Sequence, residues 1–127
     1  MRKLVLILFS ILALSSYCQD KNCSEFKTGE FEYSNSNYSE WKINRTDSIQ
    51  IEISTKNQIE IQSSIEWKSD CEFILTCRKV SNPNFEHLIG KIFKYKIIKT
   101  FDDRYICISK GNDIQPKHLE LEMIKMN

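Results

Sequence analysis

From Phe26 to Met123 the apolar residues recur at every second position, in one run after another. That period matches the alternation of side chains across a β-strand, so the chain can bury its apolar set only as half-buried antiparallel strands. Ile49, Ile51 and Ile53 alternate with Gln50, Glu52 and Ser54. Ile59, Ile61, Ile65 and Trp67 alternate with Glu60, Gln62, Glu66 and Lys68. Cys71, Phe73, Leu75 and Cys77 keep to odd positions, as do Phe93, Tyr95 and Ile97, and Leu119, Leu121 and Met123. No window of similar length fits a helical period as well. Each strand is therefore expected to turn its apolar phase inward and its charged phase outward.

Turn residues fall between the runs. Ser34-Asn35-Ser36-Asn37 follows Tyr33, and Lys56-Asn57 separates the two isoleucine-rich runs. Asn tolerates the left-handed conformation that tight hairpins need. Ser69-Asp70 and Asp102-Asp103 mark two further hairpins, and Gly111-Asn112-Asp113 with Pro116 marks the last loop. Asn82, Pro83 and Gly90 bracket one short helical turn near 83–89, with a capping Asn, Pro at the first helical position and Gly past the end. About eight short strands joined in sequence predict an all-β, up-and-down meander forming a small closed or nearly closed barrel, with a β-sandwich as the alternative.

The first residues set the compartment. Met1-Arg2-Lys3 is basic, Leu4 to Leu14 is an almost unbroken apolar run, and Ser15-Ser16-Tyr17-Cys18 is a small, polar exit. This is the layout of a secretory leader, and the run is too short for a stable membrane anchor. Residues 1–18 are read as a signal peptide and 19–127 as a single exported β-rich domain, in the periplasm or secreted. Retention of Cys18 as a lipid-bearing N-terminus is the alternative, and is the one route by which the domain would meet a membrane. Losing Arg2 and Lys3 turns the net charge of +1 into −1, leaving no electrostatic reason to bind nucleic acid.

Cleavage before Gln19 leaves Cys23, Cys71, Cys77 and Cys107, an even set in an oxidising compartment. Cys71 and Cys77 lie in one apparent strand, where a rise of about 3.3 Å per residue separates their Cα atoms by about 20 Å, beyond disulfide reach. Two pairings of the four cysteines remain open. Buried free thiols are the alternative for Cys77 and Cys107.

Three stretches resemble a known family: Cys23-Ser24-Glu25-Phe26-Lys27-Thr28-Gly29-Glu30-Phe31, Trp67-Lys68-Ser69-Asp70-Cys71-Glu72-Phe73, and Gly90-Lys91 leading to Lys96-Ile97-Ile98-Lys99-Thr100 with Tyr105 beyond. The family is one of small exported Bacteroidetes-type proteins with no established activity, some labelled DNA topoisomerase IV by automatic naming. The exported, mildly acidic character of this chain contradicts that label, as does the lack of a strand-cleaving arrangement around a tyrosine. The resemblance implies that Cys23 and Cys71 are partners, leaving Cys77 and Cys107 as a possible second pair. Gly29-Glu30-Phe31 is also similar to the Gly-x-Trp opening of lipocalin-type barrels.

Residues that carry chemistry are sparse. His87 and His118 lack any short-range metal-ligand spacing, so no cofactor is expected. Glu66, Asp70 and Glu72 cluster at one turn, where paired acids would suit a small hydrolase, but Glu66 and Glu72 take the polar positions of their strands and a solvated face accounts for them without catalysis. Lys94 and Lys96 occupy the polar phase and Phe93, Tyr95 the apolar one, which separates them onto opposite faces. Phe31, Tyr33, Trp41, Trp67, Phe73, Phe93 and Tyr95 are expected to face inward, lining a pocket or filling the core. The expected function is a non-enzymatic binding module for a small apolar molecule or an envelope partner. The alternatives are a carboxylate-dependent hydrolase and a structural accessory of an envelope complex.

Overall fold

The computed structural model describes residues 21–111 and 117–126. The expected leader, Cys18 and residues 112–116, where the last turn is expected, lie outside the described residues. Eight strands follow one another: β1 (Gly29–Tyr33), β2 (Trp41–Arg45), β3 (Ile49–Ser54), β4 (Ile59–Ser69), β5 (Glu72–Val80), β6 (Ile92–Thr100), β7 (Arg104–Lys110) and β8 (Leu119–Met126). Each pairs antiparallel with the next, and β8 returns to β1, so the meander closes into a barrel and leaves no free edge. The closed barrel, and not the sandwich, is the fold.

The connections carry local signals that differ in detail from expectation. The predicted helical turn is a 3-10 turn over Pro83–Leu88, with the Asn82 side chain accepting from the Asn84 N–H. Gly90 follows at φ +85°, a conformation that glycine adopts without steric cost. In the β3–β4 connection it is Gln58, not Asn57, that takes the left-handed conformation. Asn57 is engaged there: its N–H donates to Ser54 Oγ and its Nδ2 to Glu40 Oε2. Cys71 belongs to the β4–β5 turn and not to the strand, because β5 begins at Glu72.

One end of the barrel is closed. A 3-10 turn at Cys23–Phe26 lies there, and Cys23 is bonded to Cys71 with a Cα–Cα distance of 5.2 Å. Asn22 N–H donates to Thr100 Oγ1, and Lys125 Nζ donates to Glu25 O, fastening the same segment to β6 and β8. Phe26 is thereby driven into the base, its ring 5.3 Å from that of Tyr105. Phe31, Phe73, Ile97 and Tyr105 complete this part of the core.

One strand inverts the expected pattern. In β3, Gln50 and Ser54 are buried while Ile53 is exposed, so the polar phase faces the interior and the isoleucine phase faces out. Register is the cause. Arg45 pairs with Gln50, Ile43 with Glu52 and Trp41 with Ser54, and residues opposite each other in a sheet share a face. Short turns on both sides of β3 hold that register, and hydrogen bonds engage Gln50, Ser54 and one oxygen of Glu52.

Cys77 and Cys107 are free thiols, both buried, and so do not form the possible second bridge. They stand on β5 and β7, strands separated in the barrel by β6. Burial pushes the Cys107 thiol up to about 12 and raises Cys77 as well, keeping both protonated and poorly nucleophilic at neutral pH. Brief treatment with iodoacetamide under native conditions is expected to leave both unmodified by peptide mapping, and denaturant is expected to expose both. Labelling of either one in the folded protein at a rate near that of an unfolded peptide would contradict this burial.

Candidate functional site

The interior is layered. At the base, Arg45 projects inward from the last position of β2 and is only 3% exposed. Its Nε donates to Gln50 Oε1 at 2.8 Å, its Nη1 to the Phe26 carbonyl at 2.8 Å and its Nη2 to Tyr105 Oη at 2.9 Å. The guanidinium also lies 4.6 Å from the ring centre of Phe31 and 4.9 Å from that of Phe73. Planar geometry with donors in several directions is what lets one side chain satisfy all these groups.

Above Arg45, Gln50 passes the chain of hydrogen bonds upward. Its Oε1 accepts from Arg45 and its Nε2 donates to Glu52 Oε1 at 3.0 Å, which fixes both the amide orientation and the carboxylate. Glu52 Oε2 has no hydrogen-bond partner among the described residues. Burial raises the pKa of Glu52, and the Gln50 hydrogen bond and the Arg45 charge work in the opposite direction. A cavity of about 20 Å³, room for one water, lies beside Arg45, Gln50 and Glu52.

Above this layer the barrel opens into a cup of about 250 Å³. Glu52 lines both the small cavity and the cup, as do Tyr33, Tyr95 and Leu121, so the two spaces are continuous in their walls. Tyr33, Tyr38, Trp41 and Tyr95 supply the aromatic part of the cup, and Ile61, Leu119 and Leu121 the aliphatic part. The Tyr33 and Tyr38 rings meet at 5.6 Å, tilted by 60°. Burial, with the Glu52 charge next, raises the pKa of Tyr33 and Tyr95. Both phenols therefore stay neutral in the physiological range. Neither hydroxyl has a hydrogen-bond partner among the described residues.

The seven aromatic residues singled out by the alternation separate into three groups. Tyr33, Trp41 and Tyr95 line the cup. Phe31 and Phe73 pack around Arg45 at the base, Phe73 also touching the small cavity. Trp67 and Phe93 pack against the core and line neither space. The Trp67 ring lies 4.7 Å from Phe73, with Lys27 Nζ 5.4 Å from its centre, and its Nε1 is buried with no acceptor among the described residues. Inward orientation alone does not make a lining residue, because a residue near the closed end meets packed side chains.

Alternation placed Glu52 on the charged outer face; the register of β3 brings it inside. Tyr38 was missed because it sits in a 3-10 turn (Ser36–Tyr38), where a strand period says nothing. One signal was present in the sequence: Arg45 shares the phase of Trp41 and Ile43, a cation on an otherwise apolar stripe.

The other candidates stand apart from the cup. Glu66 pairs with Lys68 at 2.9 Å and Asp70 with Lys27 at 2.7 Å, ordinary surface ion pairs, and Glu72 borders an outer groove beside Lys68, Lys94 and Lys96. His87 is exposed, and His118 Nδ1 lies 3.2 Å from Ser109 O. Among the described residues no group of three His, Cys, Asp or Glu is placed to hold a metal ion. No protein-family model, no curated protein and no solved structure matches this chain.

Proposed function

We propose that this protein is an exported, non-enzymatic binding module that takes a small molecule into the open end of its barrel. The observation that carries the reading is the contrast between the two ends. The base is filled by Phe26, Phe31, Tyr105 and the bonded Arg45, whereas the other end keeps about 250 Å³ empty between aromatic and aliphatic walls. Ligand sites combine a largely apolar lining with a few placed polar groups, and the Glu52 carboxylate and the Tyr33 and Tyr95 phenols of this cup are such groups. Its volume suits a small molecule and not a long acyl chain. Export rests on the leader and is supported by the Cys23–Cys71 bond.

Native mass spectrometry of protein collected from its own secretion route tests the reading. A retained small molecule, released on denaturation and absent from a Leu121→Trp variant that fills the cup, is the expected result. A bare mass in both proteins, together with no thermal shift from a panel of small metabolites, would remove the binding reading.

A further inference from the structure

We infer that the cup takes a small organic cation, an ammonium group on a compact apolar body, with the ammonium held by Glu52 between the Tyr33 and Tyr95 hydroxyls. This inference rests on the binding reading above and names the chemistry of its ligand.

Charge is the first argument. Among the described residues, Glu52 is the one charged residue that lines the cup, and none of the lining residues is Lys, Arg or His. Arg45 borders the smaller cavity below, where each of its three nitrogens donates one hydrogen bond, to Gln50, Phe26 and Tyr105. Among the described residues, a ligand entering from the open end therefore meets a carboxylate and no cationic side chain in the cup wall. An anion would be repelled there, and a wholly apolar ligand would bury that carboxylate oxygen without a partner, at substantial cost.

Hydrogen bonding is the second. Glu52 Oε1 is committed to Gln50, which leaves Oε2 to accept from a ligand. The phenol oxygens of Tyr33 and Tyr95, neutral and without partners among the described residues, are further acceptors. An ammonium carries three donors, so its number of hydrogens matches these acceptors. The bond to Glu52 would join two opposite charges, which makes it the strongest of the set.

The walls are the third. Tyr33, Trp41 and Tyr95 line the cup, and aromatic rings attract a cation most strongly where water is excluded. Ile61, Leu119 and Leu121 offer an apolar surface for the remainder of the ligand. The volume of about 250 Å³ admits one ring or a short branched chain.

Isothermal titration with three matched probes tests this: 2-phenylethylammonium, 2-phenylethanol and 3-phenylpropanoate, each added to the wild type and to Glu52→Gln. Glutamine keeps the acceptor for Gln50 and removes the charge. The wild type is expected to bind the ammonium probe tighter than the alcohol by roughly tenfold or more, the scale of one charge-assisted hydrogen bond, with the propanoate weakest. In Glu52→Gln the ammonium advantage is expected to vanish while the alcohol changes less than about threefold. Alcohol or propanoate binding as tightly as the ammonium, or an ammonium affinity unchanged in Glu52→Gln, would overturn the cation assignment and leave the binding reading standing. No binding of any probe to the wild type would count against the cup as a binding site altogether. The wild-type series decides the matter even if the variant fails to fold.

Discussion

Replacing Arg45 with methionine is expected to destabilise the barrel by about 3–5 kcal/mol, the range for removing one partner from a buried charged network. The side chain is almost wholly enclosed, and three groups depend on it: the Phe26 carbonyl, Gln50 Oε1 and Tyr105 Oη. Methionine fills a similar length but donates no hydrogen bond, so these groups would be left in a region that water does not readily reach. Glu52 would also lose the positive charge that favours its ionised form. Lysine keeps the charge but lacks the planar fork, and Arg45→Lys is expected to recover only part of the loss. Urea denaturation, with the midpoint and slope compared across the three proteins, measures it. A loss below about 1 kcal/mol for methionine would mean that the network contributes little and that the surrounding rings alone hold the base.

Loss of the Cys23–Cys71 bond is the second large effect. The bridge joins residues 48 apart in sequence, and chain-entropy arguments give about 4 kcal/mol for a loop of that length. The paired change to serine is expected to lower the urea midpoint by the corresponding amount, and dithiothreitol is expected to do the same to the wild type. Dithiothreitol should leave the doubly substituted protein unaffected, since Cys77 and Cys107 are already reduced. Equal midpoints for the oxidised and reduced wild type would deny the bridge its stabilising role.

These two effects should not add. Cys23 and Phe26 belong to the same 3-10 turn, and Arg45 Nη1 bonds the Phe26 carbonyl, so bridge and guanidinium hold one plug from two sides. Once either is lost the turn is loosened, and the other has less to hold; neighbouring groups with shared partners couple in this way. Because small domains are stable by only about 5–15 kcal/mol, the combined variant is expected to be largely unfolded without ligand.

The plug also explains the asymmetry on which the functional reading depends. With the base closed by Phe26 and Arg45, the interior can stay partly empty at the other end without collapse, because the strands are tied all the way round. Leu121→Trp would trade that empty space for packing, and is expected to cost binding rather than the fold.

Much of the architecture was legible from residue order alone. The period of two along β4–β7 marks the strands, and the 3-10 turn at Pro83 follows from Asn82, Pro83 and Gly90 acting over a few residues. Such signals are local: a side chain alternates, a cap accepts, a proline fixes φ, whatever lies across the barrel. The reading failed at β3, where the isoleucine phase is the more apolar but lies outside. Which face a strand shows is set by register with its neighbours, and Ile43 opposite Glu52 outweighs the preference of β3 itself.

The chain by itself therefore determined an alternating, antiparallel β meander, because hydrophobic period is a property of neighbouring residues, and its leader layout is the basis of the export proposal. Closure of β8 onto β1, the free state of Cys77 and Cys107, and the Arg45–Gln50–Glu52 stack beneath an aromatic cup were decided only by tertiary structure. Each depends on groups far apart in sequence meeting at a set distance, and it is the twist and register of eight paired strands that set those distances.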